Sequence, residues 1–184
     1  MPTDSTPSEP GIRLDRPKPA DLTELHAIYR DARVWTHLPT WRHADTKTTE
    51  TMLRSWIAAW ARDGLGPWIV RSPEGAMLGQ CGCDMKIGTY WNLGYRFAPE
   101  AQGNGYATAV SRAAMSRARE LRGDLPVVAY LLEHNAASQR VAEKLGMRHQ
   151  HRGPDPAVAD PSAIRLVYAD RQLTDDQLAA ALTH

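Results

Sequence analysis

One short stretch constrains this chain more than any other. Gln102-Gly103-Asn104-Gly105-Tyr106-Ala107 stands between an apolar, strand-like run at 91–97 and a helix-like run that ends near Arg122. Two glycines in a turn that enters a helix leave its first backbone N–H groups without intrahelical acceptors, with the positive end of the dipole behind them. Such a turn suits an anion, above all a phosphate. The same turn also serves as a plain chain reversal, so its neighbours decide between the two.

Those neighbours set a fold. Residues 105–121 carry Ala107, Val110, Ala114, Ala118 and Leu121 on one helical face, with arginines elsewhere, and Gly123 closes the run. The next run, 126–132 (PVVAYLL), is continuously apolar, as in a strand covered on both faces. Strand, glycine turn, helix and strand imply a parallel, right-handed crossover with the turn at the carboxyl end of a strand, where ligands bind in such units. Upstream, 12–14 reads as a short strand and Asp21 as the cap of a first helix with Leu22, Leu25, Ile28, Tyr29 and Ala32 at helical spacing. Asp45 is placed to cap a second helix that Gly64 ends, and 68–71 with 77–85 read as a hairpin extended by 91–97. Downstream, Asn135 opens a short helix with Ala137, Val141 and Leu145 inward and Gly146 at its left-handed end. Strands near 147–152 and 164–169, around a loop at 153–156, and a small helix at 175–182 complete the pattern. The expected class is α+β: a mixed sheet, antiparallel meander first and parallel crossover second, flanked by helices, with no internal repeat.

Composition narrows the function. A chain of 184 residues that is 42% hydrophobic and 23% charged describes one globular domain with a real core. That domain is expected over 11–184, behind a disordered tail at 1–10 that lacks the apolar core of a signal peptide. No run approaches the ~20 apolar residues that span a bilayer, so a cytoplasmic protein with no membrane partner is expected. A formal net charge of +1 supplies no global basic field, which argues against nucleic acid as partner. Cys81 and Cys83 share one face of a strand and read as buried thiols in a reducing compartment. No second Cys/His cluster stands at ligand spacing, and no metal is expected.

The glycine turn lacks the Lys-Ser/Thr that the Mg–phosphate chemistry of nucleoside triphosphatases needs, and Thr108 stands where a dinucleotide turn wants its third glycine. Gln102, Gly105 and Ala107 instead fill the pattern Gln/Arg-x-x-Gly-x-Gly/Ala, and a second block, NAASQRVAEKLGM at 135–147, follows downstream. In these two motifs, in this order, the chain resembles the GNAT superfamily of N-acetyltransferases over roughly residues 12–170. It is most similar to the branch of ribosomal-protein N-terminal, spermidine and antibiotic acetyltransferases, whose leader is seen in Arg30-Asp31-Ala32-Arg33-Val34 and Leu38-Pro39.

The resemblance implies acetyl-CoA as cosubstrate and a sheet splayed between the strands around 91–97 and 126–132. It gives the pyrophosphate to the backbone N–H groups of Gln102, Gly103, Asn104, Gly105, Tyr106 and Ala107, with any side chain at Gly105 expected to clash. Tyr95, Phe97 and Ala98 would pair through their backbone with the pantetheine arm, one N–H polarising the thioester carbonyl. Ser138 would protonate or hydrogen-bond the departing thiolate, and Asn135 would contact the pantetheine or the acyl group. Read without the family, Asn135 is a helix cap and Ser138 a small first-turn residue. Tyr130 and Tyr168 are substitute donors, and Lys144 or Arg140 could meet the 3′-phosphate.

The base is where the chain departs from the family pattern. Asn92 and Ala109 stand where many relatives carry glutamate, leaving Asp84, His37 and Glu100 as candidate water-mediated bases. An α-amino group with pKa ~7.7–8 is partly neutral at pH 7 whereas a lysine amine near ~10.4 is mostly charged, so loss of a strong base favours α-amino or weakly basic acceptors. Trp35, His37, Trp41 and Arg42 are expected to line the pocket for a small-molecule amine or a protein N-terminus, and the same aromatics are candidates for a homodimer contact. The competing function is a catalytically idle acyl-CoA-binding or regulatory module.

Overall fold

The computed structural model describes residues 11–183; the tail expected over 1–10 lies outside the described residues. The chain runs β1 (Arg13–Asp15), α1 (Leu22–Tyr29), α2 (Thr46–Asp63), β2 (Trp68–Arg71), β3 (Met77–Lys86) and β4 (Tyr90–Phe97). It continues through α3 (Tyr106–Arg122), β5 (Val127–Leu132), α4 (Ala136–Lys144), β6 (Arg148–Pro154), β7 (Ile164–Ala169) and α5 (Asp175–Leu182). One seven-stranded sheet has the order β1-β2-β3-β4-β5-β7-β6. Only β4 and β5 run parallel, because α3 carries the chain back between them while the other neighbours are antiparallel.

Register locates the functional region. β3 and β4 stay paired from Gly79↔Phe97 to Lys86↔Tyr90, whereas β4 and β5 share only Trp91↔Val127 and Asn92↔Val128. Past Asn92 the two strands part, as the family resemblance implied.

The period of two gives β4 two different neighbourhoods. Leu93 and Phe97 join Val110, Ala114 and Met115 of α3 in the largest core cluster. Arg96, on the opposite face, meets the α1–α2 side, where Tyr29, Trp35, Trp56 and Ile69 form a second cluster. Cys81 and Cys83 lie fully buried on the α3 side with free thiols, Cys81 3.3 Å from the Ser111 hydroxyl. Burial pushes the Cys81 thiol up to about 12 and raises Cys83 as well, so both stay protonated.

Several local expectations shift. Asp45 does cap α2, accepting from the Thr48 N–H at 2.8 Å, and Gly64 ends that helix at φ 69°. Asp21 precedes α1 without capping it, because its carboxylate accepts from the Lys18 N–H and pairs with the buried Arg71, both at 2.7 Å. In α4 the fully inward residue is Ala142, while Ala137 is exposed and borders the cleft between the parted strands. β6 extends through Pro154, into the expected loop, because its ladder with β7 continues to Pro154↔Ile164.

Candidate active site

A single cleft of about 1770 Å³ follows the parting of β4 and β5. It runs from the 33–45 segment across Gly94 to the start of α3 on one side and α4 on the other. The glycine turn, the 135–147 block and the aromatic segment, far apart in sequence, therefore border one space.

On the α3 side the main chain dominates. Gly103 and Gly105 both sit at φ 81°, a left-handed conformation that glycine takes without steric penalty. A Cβ placed on either meets nothing within 4 Å, so the space above the turn is open. A side chain at Gly105 would thus clash with no protein atom, and the expected clash reduces to backbone strain and to whatever fills the cradle. No side chain caps α3, and the first N–H to find a carbonyl across the helix start is that of Ala109, on Gly105 O at 3.1 Å. The polar side chains of the turn hold its shape: Gln102 Nε2 donates to Phe97 O at 3.1 Å, and Asn104 Nδ2 to the carbonyls of Ala101 and Gln102, both at 3.2 Å. The donors left facing that open space are backbone N–H groups. Tyr106 packs its ring against Phe97 beside them.

The edge of β4 supplies the next donors. Trp91 N–H points to Pro126 O on the β5 side at 2.9 Å, and Ala98 N–H points the other way, to Leu78 O at 2.8 Å. Alternation then turns the N–H groups of Tyr95 and Phe97 toward the open edge. The donor expected of Ala98 is committed to Leu78 and is withdrawn from the edge.

Across the parting, Asn135 Oδ1 accepts from the Ser138 N–H at 3.2 Å, the cap that its residue type favours. Ser138 O in turn accepts from the Tyr95 hydroxyl at 3.3 Å, pinning α4 to β4. Burial pushes the Tyr95 phenol up to about 12, which keeps it a donor. Asn135, Ser138, Arg140 and Lys144 all border the cleft. Tyr130 borders it too, its ring 4.6 Å from the Arg165 guanidinium, but Tyr168 lies in the core against His149 and away from the cleft.

The opposite side is built from side chains. The carbonyl of Tyr29, at the end of α1, accepts the Trp35 indole N–H at 2.6 Å and the His43 N–H at 3.2 Å, which fixes the 33–45 segment. Trp35 borders the cleft as expected but is only 3% exposed, most of its ring being packed in the core. Its ring supports a residue that the sequence reading passed over: the Arg96 guanidinium lies 3.6 Å above it and donates to Val34 O at 3.0 Å. A single charge in the otherwise uncharged strand YWNLGYRF was the signal available. Trp41, at 47% exposure, and Arg42 border the outer end of the cleft.

His37 lies deeper, its imidazole pushed down to about 4 by burial, with Arg96 and His134 adding to the effect. It is neutral at pH 7 and a weak base. His134 donates from Nε2 to His37 O at 2.7 Å, joining this segment to the β5–α4 turn. Of the other candidate bases, Asp84 pairs with Lys86 at 2.7 Å and Glu100 with Arg33 at 2.9 Å, and neither borders the cleft. Asn92 does border it, with Oδ1 buried and without a hydrogen-bond partner. No group of three or more His, Cys, Asp or Glu residues among the described residues is placed to hold a metal ion.

A family model described as an acetyltransferase (GNAT) domain matches residues 12–148. An uncharacterized Bacillus subtilis protein, YkkB, is 37% identical over 90 residues, 47% of this chain and 52% of that protein, so the chain spans about half the length of the curated relative it matches. Among solved structures, a putative GnaT-family acetyltransferase from Bordetella pertussis superposes with a TM-score of 0.73 at 20% identity, covering 90% of this chain and 98% of the other. RimL, a ribosomal L7/L12 alpha-N-protein acetyltransferase solved in complex with coenzyme A, superposes at 0.75 with 17% identity over 90% and 97% of the two chains. At those identities the likeness is one of fold. No helix among the described residues is long and apolar enough to cross a membrane.

Proposed function

The chain belongs to the GNAT acetyltransferase family, and on that premise we propose that it moves an acetyl group from acetyl-CoA to a primary amine, either a small molecule or a protein N-terminus. The observation that carries this reading is the parting of β4 from β5 immediately after Asn92↔Val128, with the open glycine turn at the end of the same strand. The turn fits a pyrophosphate by its chemistry: left-handed glycines, uncapped N–H groups and empty space where a Cβ would stand. Tyr95 and Phe97 N–H groups would hold the pantetheine and polarise the thioester carbonyl, an effect worth ~3 kcal/mol for one well-aimed donor.

Acetyl transfer forms a C–N bond and breaks the C–S bond, so the amine must shed a proton and the departing thiolate must be stabilised. Ser138, beside Tyr95 at the start of α4, is our candidate for the thiolate's donor. Asn92 Oδ1 can accept an N–H from the incoming amine and orient it, but a neutral amide removes no proton. Proton loss would pass to water, which favours acceptors that are already partly neutral at pH 7.

Incubation with acetyl-CoA and a panel of amines and short peptides, following free thiol, tests the proposal. Acetyl-CoA-dependent thiol release that requires an amine is expected. Coenzyme A binding with no thiol release over the whole panel would instead leave the idle binding module.

A further inference from the structure

Arg96 stands out among the charged groups of the cleft because nothing of opposite charge meets it. Its guanidinium is largely enclosed, held between the Trp35 ring at 3.6 Å, the Tyr29 ring at 5.6 Å and the Val34 carbonyl at 3.0 Å, and it borders the cleft. The carboxylates of that end are committed elsewhere: Asp31 and Glu100 both hold Arg33, at 2.6 and 2.9 Å, and Asp45, which borders the cleft, caps α2 by accepting from the Thr48 N–H at 2.8 Å. Among the described residues Arg96 makes no ion pair, and Gln80, its partner across the β3–β4 ladder, is neutral. Burial accordingly lowers its pKa.

The side chains around it on this side of the cleft are mostly basic, with Asp45 the acidic exception. His37, His43 and His134 border the same part of the cleft, and Arg42 and Lys47 lie further out on its wall. Arg96 and His134 both act to keep His37 unprotonated, and Arg96 acts on His43 in the same direction. A desolvated cation without an anion is unfavourable unless a ligand supplies one. Two residues along the same face, Gly94 leaves an open floor beside the point where β4 and β5 separate. An acceptor lying on that floor would have its amine near the thioester and its far end at Arg96.

We propose that the acceptor is an amine that also carries an anionic group, a carboxylate or a phosphate, and that Arg96 pairs with that group and sets specificity against polycationic amines. This rests on the transferase reading above but concerns binding as well as turnover, so the two separate experimentally.

Acceptors are compared in matched pairs: butylamine with 4-aminobutyrate, ethanolamine with O-phosphoethanolamine, and amidated peptides SAAA with SDAA, plus putrescine as a dication. In every pair that reacts, the anionic member should have the higher kcat/KM by ~10-fold or more, and Arg96→Gln should bring that ratio toward one. Arg96→Lys, which keeps the charge, should retain part of the preference and shows whether a loss in Arg96→Gln is one of charge or of folding. The carboxylate and phosphate arms tell which anion is preferred. In parallel, calorimetry with glutarate, in saturating coenzyme A so that the glycine turn is filled, should find binding that Arg96→Gln weakens ~10-fold or more. Preference for neutral or dicationic amines, a ratio unchanged in Arg96→Gln, or glutarate binding absent or indifferent to Arg96 would overturn the proposal. Arg96-dependent glutarate binding without thiol release from any amine would instead fail the transferase reading and leave the anion site standing.

Discussion

The open edge of β4 and its α1–α2 face offer a ligand opposite kinds of group. Along the edge that faces β5 and at the start of α3, the groups on offer are main-chain N–H donors of Tyr95, Phe97 and the glycine turn, and nearby polar side chains such as Gln102 and Asn104 hold that backbone. Toward α1 and α2, the groups on offer are side chains: Arg96 on Trp35, His37 tied to His134, and Asn92 with an unanswered oxygen. A backbone site depends on local conformation and tolerates many side chains. A side-chain site depends on residues that distant segments bring together, and a single replacement changes what it selects. Coenzyme binding and acceptor choice should therefore break independently.

The sharpest test is Gly105→Glu. Its Cβ meets no protein atom, so the fold should survive, at a cost of ~1–2 kcal/mol for the left-handed backbone. The carboxylate would occupy the anion's place, and losing two charge-assisted bonds of ~1.5 kcal/mol each corresponds to ~100-fold weaker coenzyme A binding by calorimetry. Glutarate binding at Arg96 should be untouched. Unchanged coenzyme affinity, or loss of both ligands together, would erase the distinction between the edge and the face.

Ser138→Ala probes the α4 side more gently. If the hydroxyl serves the departing thiolate, kcat should fall ~10- to 1000-fold with coenzyme affinity nearly constant. The cap is unaffected because Asn135 Oδ1 holds the backbone N–H of residue 138, not its side chain. An unchanged kcat would reduce Ser138 to a first-turn residue of α4.

The same contrast explains what was legible in the sequence. The element order, the Asp45 cap, the Gly64 and Gly146 helix ends and the glycine turn depend on neighbours a few residues apart, and their periodicity and residue types carried them. The parting of β4 from β5 became an expectation only through the family resemblance. Asp21 was misread because its carboxylate answers to Arg71, fifty positions away, rather than to its own helix. The burial of Trp35 was hidden for a similar reason: an aromatic in an irregular segment looks exposed until the Tyr29 carbonyl is found to hold it. Arg96 went unnoticed because its significance is a relation, a charge with no counter-charge, that appears only once α1, the 33–45 segment and β4 are assembled.

The smallest expected effect lies on the acceptor face. His37 is ordinarily near 6.5, and burial with Arg96 and His134 brings it to about 4 in the folded protein. Between those values the unfolded chain binds a proton that the folded chain refuses, so stability falls as pH drops from about 6.5 to about 4 and is unaffected by this group above that window. His37→Gln removes the titration; in urea melts at several pH values, wild type should lose more stability than the variant on going from pH 7 to pH 4.5. The group is partly exposed, so the difference should be small, but its sign is fixed. Glutarate sharpens it: an anion on Arg96 would offset the cation that helps keep His37 neutral, raise the folded-state pKa toward the ordinary value and so make the wild-type loss smaller, with its onset still near 6.5. Equal slopes for wild type and variant would show that Arg96 and His37 do not share the enclosed, positively biased pocket from which an anionic acceptor was inferred.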